Sequence, residues 1–222
     1  MRHEVKHSIN ALDDLVLTAR LKALFEHDRH AGSHGSYRVS SLYFDTPYDK
    51  AVADKLSGAG VREKFRLRYY GENTAWLRLE CKQKMGQMTA KKSIRLTKTE
   101  AKRLMSGDLD VLFAPKDPPR MFFYSRFQGN LLRPVVQVTY DREAFHYLPG
   151  NVRITIDRNL RTNPGGCGFL NPDTPHLDAA DGLAVLEVKY DAFLPDLVRL
   201  AVQIPDRRSA AISKYVISRR YD

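Results

Sequence analysis

The sequence predicts an α+β protein: an antiparallel closed β-barrel with helices packed on its outside. Many short segments alternate apolar and polar side chains, which is the pattern of half-buried strands. Turn-like residues at 71–73 and 86–87 separate three of them, which indicates an antiparallel meander. At least six strands carry charge on one alternating face, and a closed sheet would direct such a face into its interior.

Each predicted element rests on its own local pattern. The strands are predicted at 2–9, 38–45, 64–70, 76–82, 91–96, 134–145, 152–157 and 183–190. The helices are predicted at 11–25, 48–56, 97–106, 120–130, 195–202 and 206–218. Thr97 and Glu100 have the spacing of a capping box, and Asp206 is a candidate cap of the last helix.

The first predicted helix has an apolar side that we expect to face the core. That side consists of Leu12, Leu15, Val16, Ala19, Leu24 and Phe25. A chain of 222 residues fits one domain, so we expect a single domain over 1–222.

Composition narrows the classes of partner. Lys and Arg outnumber Asp and Glu by 36 to 26, a net charge of +10, which indicates a nucleic acid, a phosphate-rich ligand or an anionic membrane as partner. Cys81 and Cys167 are too few for a disulfide framework or a zinc site, and Cys81 is expected in the core. No run of about 18 apolar residues is present and residues 1–4 lack a signal-peptide pattern, so we expect no membrane span and a cytoplasmic protein.

The charged strand face is the feature that bears most on function. Its members are Arg2, Glu4, Lys6, Lys64, Arg66, Arg68, Arg78, Glu80, Lys82, Lys84, Lys91, Ser93, Arg95, Arg153, Thr155, Asp157, Glu187 and Lys189. A solvated sheet face gives the same alternation on any one strand, but its repetition on six strands favours an enclosed face. Enclosed cations repel one another and lose hydration, so we expect a polyanion to compensate them.

Three polyanions suit such a face: a triphosphate, a longer phosphate chain or a nucleic-acid backbone. The acids Glu80, Asp157 and Glu187 favour a metal–phosphate site over a plain nucleic-acid groove. Aromatic side chains are scarce among the charged positions, which also makes nucleic acid a poor fit. A solvated face and a nucleic-acid surface remain open at this point.

Eight motifs occur in an order that resembles a known family. They are Arg2–His7, Ser41–Pro47, Arg66–Gly71, Leu79–Lys82, Tyr140–Arg142, Val152–Asp157, Leu186–Lys189 and Ile212–Tyr215. This order resembles the polyphosphate polymerase domain of the vacuolar transporter chaperone (VTC) family. That family is part of the triphosphate tunnel metalloenzymes, relatives of the CYTH phosphatases and cyclases. The first strand has Arg2 where the wider group has a glutamate, which resembles the polymerase branch.

The resemblance implies an ATP-dependent phosphotransferase that makes polyphosphate in a basic tunnel, with Mn²⁺ or Mg²⁺ as cofactor and with ATP, polyphosphate or triphosphate as ligands. It assigns the phosphate-clamping roles to Arg66, Arg68, Lys82 and Arg142. It assigns further phosphate contacts to Lys6, Lys91, Arg153, Ser213 and Lys214. It assigns the metal to Glu187. Tyr43 and Tyr140 are interpreted as structural hydroxyls.

Two other functions fit the same residues. One is an inorganic triphosphatase or nucleoside triphosphatase on the same scaffold, and the other is a non-catalytic module that binds polyphosphate. We expect replacement of Arg66 or Arg142 by Ala to remove activity and to leave the fold intact. The sequence gives no indication of the oligomeric state.

Overall fold

The computed structural model describes residues 3–28, 31, 35–86, 88–205, 209 and 211–221. The strands are β1 (His3–Ile9), β2 (Glu26–His27), β3 (Ser36–Asp45), β4 (Val61–Tyr70), β5 (Asn73–Met85), β6 (Met88–Thr97), β7 (Arg133–Tyr147), β8 (Val152–Pro164), β9 (Leu177–Asp178) and β10 (Ala184–Tyr190). The α-helices are α1 (Ala11–Leu24), α2 (Lys50–Leu56), α3 (Lys98–Met105), α4 (Pro118–Gly129), α5 (Asp196–Ala201) and α6 (Lys214–Ser218). Short 3₁₀ helices span Leu109–Leu112, Pro149–Asn151 and Arg219–Tyr221.

The predicted strands and helices are confirmed, with three differences. The strand β8 runs to Pro164, seven residues beyond its predicted end. The last helix begins at Lys214, eight residues later than predicted, because residues 211–213 are not helical. The short strands β2 and β9 and the 3₁₀ helices were not predicted, since segments of two to four residues carry too little periodicity. Arg2, Gln87 and the proposed cap Asp206 lie outside the described residues.

The described residues form two compact units. The first unit consists of Met1–Val39, Thr139–Arg161 and Asp178–Lys214, and the second of Ser40–Val138, Thr162–Leu177 and Tyr215–Asp222. A single domain over 1–222 stays a prediction. No helix among the described residues is long and apolar enough to cross a membrane.

The first unit is an antiparallel sheet covered by α1 and α5. Its strand order is β1-β10-β8-β7, and Lys6 lies opposite Glu187, which in turn lies opposite Thr155. Its core includes Ile9, Leu17, Leu21, Phe25, Phe145, Val152, Ile154, Ile156, Leu186, Val188 and Val198.

The expected apolar side of α1 is wrong for most of its residues. The helix buries Leu17 and Leu21, whereas Leu12 and Leu15 are each 69% exposed. The reason is that α1 is apolar on two sides, and Leu17 and Leu21, four residues apart, face the sheet. The helix starts at a capping box in which the Asn10 side chain accepts from the Asp13 amide at 2.8 Å.

The second unit is built on the strand order β3-β4-β5-β6, with α2, α3 and α4. Its core consists largely of Phe44, Phe65, Leu67, Tyr69, Leu77, Leu79, Cys81, Leu96, Phe123 and Phe127. Cys81 lies in this core as predicted, and burial raises the pKa of its thiol to about 12. The capping box of Thr97 and Glu100 is confirmed at the start of α3.

The closed barrel is not observed among the described strands. The α+β class and the antiparallel sheet are confirmed, but β1 has only β10 as a neighbour and β6 has only β5. Most residues of β6 are exposed, and Lys91, Lys92 and Arg95 give it the charge that is typical of an edge strand.

Candidate functional site

Three strands of the second unit present one charged face, which we call the basic face. It consists of the alternate residues Arg62, Lys64, Arg66, Arg68, Tyr70, Trp76, Arg78, Glu80, Lys82, Lys84, Lys91, Ser93 and Arg95. The residues between them, such as Phe65 and Leu79, are buried in the core. Glu80 is the one carboxylate of the basic face within the described part of β4, β5 and β6.

Cations lie directly opposite one another on this face. Lys64 is opposite Lys82, and Lys82 is opposite Lys91 on the next strand, so three lysines form a row across the sheet. A second row consists of Arg68, Arg78 and Arg95. Like charges at directly opposite positions destabilise a sheet. The register persists because a shift of one residue would expose the apolar core side.

Glu80 compensates part of this charge. Its buried carboxylate accepts from the Arg66 Nε at 2.8 Å, forms an ion pair with Lys91 and lies 3.9 Å from the nearest Arg68 nitrogen. Burial alone would raise the pKa of Glu80, but Arg66, Arg68 and Lys91 outweigh it and lower the pKa to about 2. Glu80 is therefore ionised at neutral pH and holds Arg66 in a fixed orientation.

Polar groups of β3 support the two arginines. The Arg68 Nε donates to the Ser41 hydroxyl at 3.2 Å, and an Arg66 nitrogen donates to the Tyr43 hydroxyl at 3.4 Å. The buried Tyr43 ring stacks on Tyr215 at a centroid distance of 4.7 Å. Burial alone would raise the pKa of Tyr43, but Arg66, Arg68 and Lys64 lower it to about 8. The sequence indicates a structural role for the Tyr43 hydroxyl. The structure adds that this hydroxyl is a titratable group in contact with Arg66.

The first unit contains a cluster around Glu187. The nearly buried Glu187 carboxylate contacts Lys189 at 2.5 Å and Lys6 at 3.2 Å. Both lysines also contact Glu4, at 2.7 Å from Lys6 and 3.7 Å from Lys189. Burial opposes ionisation of Glu187, but Lys189 and Lys6 outweigh it and hold its pKa well below the usual range.

Asp157 is the second buried acid of the first unit. Arg142 donates to both of its carboxylate oxygens, at 2.6 and 2.8 Å, and the Lys214 ammonium lies at 2.7 Å. Burial would raise the pKa of Asp157, but Lys214 and Arg142 lower it. This pair argues against the expectation that replacement of Arg142 by Ala leaves the fold intact, because Arg142 neutralises a fully buried carboxylate.

Arg153 and Thr155 lie on the same strand face as Asp157. Arg153 contacts the Asp28 carboxylate at 2.7 Å and the Tyr37 hydroxyl at 3.0 Å. Its buried Nε and the buried Thr155 hydroxyl have no hydrogen-bond partner within the described chain. Buried polar groups without a partner are rare in folded proteins, and a water molecule or an ion can satisfy them.

The predicted site residues divide between the two units. Arg66, Arg68, Lys82 and Lys91 belong to the basic face of the second unit. The first unit contains Lys6, Arg142, Arg153, Glu187, Ser213 and Lys214. Ser213 directly precedes α6, and Lys214 is its first residue.

Sequence reasoning missed the aromatic end of the basic face. Trp76 precedes Arg78 and Glu80 in the same alternating series on β5, so the period of two was a sufficient signal. Tyr70 lies at the same end of β4, and its hydroxyl accepts from Arg68 at 3.4 Å. The expectation that aromatic side chains are scarce on the charged face is therefore wrong for this end, where Trp76 and Tyr70 lie.

Glu187 can bind a divalent metal only if a phosphate ligand supplies further coordination positions. No group of three or more His, Cys, Asp or Glu side chains that could hold a metal is found in the described ranges. Glu187 and Glu4 share two lysines, so the first unit offers two neighbouring carboxylates. Mg²⁺ is commonly bound by one or two carboxylates together with substrate phosphates and water, and these two carboxylates fit that mode.

Comparison with solved structures identifies the class of fold. HpAC1 from Hippeastrum, proposed to be an adenylyl cyclase and described as having a dominant triphosphatase activity, is 13% identical, with a TM-score of 0.56 and coverage of 100% of this chain and 96% of its own. A proposed adenylate cyclase from Bacillus halodurans is 14% identical, with a TM-score of 0.50 and coverage of 89% and 83%. At this level of identity the likeness shows a shared fold alone.

Sequence comparison then gives the family. The VTC domain pattern matches residues 1–221, so the chain belongs to the VTC domain family. A search of curated proteins found no match. The resemblance seen in the eight motifs is confirmed.

Replacing Arg142 is expected to damage the fold more than replacing Arg66. Arg142→Ala leaves the buried Asp157 with Lys214 alone and should lower the free energy of unfolding by about 3 kcal/mol. Arg66→Ala leaves Glu80 with Lys91 and Arg68. Because Arg66 is partly exposed, its loss should lower the free energy of unfolding by about 1 kcal/mol. Urea unfolding of both variants measures the difference, and equal losses would contradict the role of Arg142 in the fold.

The ionisation of Tyr43 is expected to compete with phosphate for Arg66. The pKa of Tyr43 in the folded chain, about 8, lies below the ordinary value of about 10. The ionised Tyr43 side chain therefore stabilises the folded chain. This contribution to the free energy of unfolding is fully present above pH ~10 and is lost as the pH falls through about 8. The tyrosinate also neutralises Arg66, so tripolyphosphate affinity should decline as the pH rises through about 8.

The control is Tyr43→Phe, in which this decline should be absent. Ultraviolet difference spectra of the two proteins should show one tyrosinate forming near pH 8 in the parent chain alone. The same decline of affinity in Tyr43→Phe would show that another group is responsible.

Proposed function

We propose that this VTC domain is a polyphosphate polymerase that transfers the γ-phosphate of ATP to a growing polyphosphate chain. The observation that carries the proposal is the row of Lys64, Lys82 and Lys91 on three adjacent strands. Opposed cations cost stability in the free protein, and a chain of phosphates compensates several of them at once. The polymerase branch of the resemblance, in which the sequence has Arg2 where the wider group has a glutamate, supports synthesis over hydrolysis.

Phosphoryl transfer requires positioning and charge neutralisation more than a protein nucleophile. In the second unit we assign Arg66, Arg68, Lys82 and Lys91 to phosphate oxygens. In the first unit we assign Lys6, Arg142, Arg153, Ser213 and Lys214 to them. The cytoplasmic location is also part of this proposal.

In the proposed reaction a terminal phosphate oxygen of the acceptor attacks the γ-phosphorus. A new P–O bond forms, the bond to the β–γ bridging oxygen breaks, and ADP leaves with that oxygen. Fixed guanidinium groups such as Arg66 stabilise the charge that develops on the phosphoryl oxygens. Mn²⁺ or Mg²⁺ at Glu187 would add charge neutralisation as a Lewis acid.

A triphosphatase is the second candidate, in which water replaces the phosphate acceptor. The likeness of fold to HpAC1, which is described as having a dominant triphosphatase activity, favours it. A module that only binds polyphosphate would use the same cations without a metal, and its affinity would fall steeply with salt.

The products of ATP turnover distinguish the two enzymes. A polymerase should convert ATP and Mn²⁺ to long phosphate chains that are visible on a gel, whereas a triphosphatase should release orthophosphate or pyrophosphate. Lys91→Ala should reduce turnover by about 10- to 100-fold, the loss of one charge-assisted contact. The matched control is Lys92→Ala, because Lys92 is on the opposite face of β6, over the Phe122 ring. Equal effects of the two substitutions would count against the basic face as the phosphate site.

Metal binding should depend on the phosphate ligand. Water-proton relaxation titrations are expected to show weak Mn²⁺ binding by the protein alone and strong enhancement when tripolyphosphate is added, because two carboxylates leave most coordination positions to phosphate and water. Glu187→Gln should remove this enhancement, and Glu72→Gln, in an exposed turn, should keep it. Tight Mn²⁺ binding without phosphate, or full enhancement in Glu187→Gln, would contradict the assignment.

A further inference from the structure

The basic face ends in exposed aromatic side chains, which a phosphate site does not require. Trp76 lies on β5 two residues before Arg78 and opposite Thr97, and it is 62% exposed. Tyr70 ends β4, is 44% exposed and lies beside the Arg68 guanidinium, whose carbon is 5.8 Å from the ring centroid. The apolar side of the sheet has its own large residues, so Trp76 contributes no packing to that core.

The chemistry of the face changes along β5. Toward Met85 its cations are mostly lysines, with Arg62 opposite Lys84, and next to Trp76 they belong to the row of Arg68, Arg78 and Arg95. Exposed aromatic rings beside arginines are the combination with which proteins stack nucleobases, because every base has a π-face and arginine adds a cation–π contact. At the lysine end the Lys64 ammonium lies 5.5 Å from the centroid of the Tyr215 ring, but that ring is buried and offers no face for a base. This end therefore suits phosphate.

The spacing of the rows suits a nucleotide. At about 3.3 Å per strand residue, Arg78 lies about 7 Å and Glu80 about 13 Å along β5 from Trp76. A base on Trp76 therefore places the first phosphate at the row of Arg68, Arg78 and Arg95, and it directs the following phosphates toward Arg66. The polarity of the strand thus matches a ligand with a ring at one end and a phosphate chain at the other.

We infer that Trp76, at the end of the basic face that also holds Tyr70 and Arg95, forms a nucleobase subsite that distinguishes a nucleoside triphosphate from inorganic tripolyphosphate. The inference rests on the proposed function, since it assumes that the basic face holds the triphosphate of the donor. Stacking without base-specific hydrogen bonds predicts that ATP and GTP bind with similar affinity.

Trp76 is the single tryptophan of the chain, so its fluorescence reports this position directly. ATP should quench the fluorescence in a saturable way, whereas tripolyphosphate should bind with little quenching. Trp76→Ala should weaken ATP binding by about 5- to 100-fold and change tripolyphosphate binding less than about 2-fold. Trp76→Phe should restore much of the ATP affinity, and Tyr48→Ala, at a 90% exposed aromatic position, should change neither ligand.

The outcomes separate the subsite from the proposed function. Unchanged ATP binding in Trp76→Ala, or equal loss of ATP and tripolyphosphate, overturns the subsite and leaves a phosphate-binding face. Failure of the parent chain to bind either ligand, by calorimetry as well as fluorescence, overturns the proposed function together with the subsite. Selective loss of ATP that Trp76→Phe restores supports the inference.

Discussion

The register of β4, β5 and β6 is the constraint on which the basic face depends. Phe65, Leu79 and Cys81 are buried on one side of these strands, and each neighbouring residue in the chain must then point to the other side. Because the neighbours are mostly Lys and Arg, burial of the core side forces cations into opposite positions. The free energy of apolar burial thus holds in place an arrangement that electrostatics alone would disfavour.

Both units combine a surplus of cations with a few buried acids. Glu80, Glu187 and Asp157 are each shared by at least two basic side chains. A buried carboxylate with several partners fixes the direction of each arginine or lysine at little cost in flexibility, which is the preorganisation that anion binding and phosphoryl transfer require. The acids also explain how the free chain folds without a ligand.

Period-two alternation was enough to predict the strands and the charged face, since it follows from the geometry of a strand alone. It could not predict that Asp157 binds Arg142 and Lys214, because those contacts join segments far apart in the chain. For α1, apolar residues on two sides left the buried side ambiguous, and Leu17 and Leu21 were buried in place of Leu12 and Leu15. Trp76 was predictable in principle from the same alternation, since it precedes Arg78 by two residues on β5.

The most direct measurement of the central claim is the stability of the parent chain in tripolyphosphate. If opposed cations on the basic face are a cost that phosphate relieves, the free energy of unfolding should rise with the logarithm of the tripolyphosphate concentration above the dissociation constant. The rise should exceed that in sodium chloride of equal ionic strength, because chloride only screens the charges. An unfolding free energy that is the same in both salts would contradict the account.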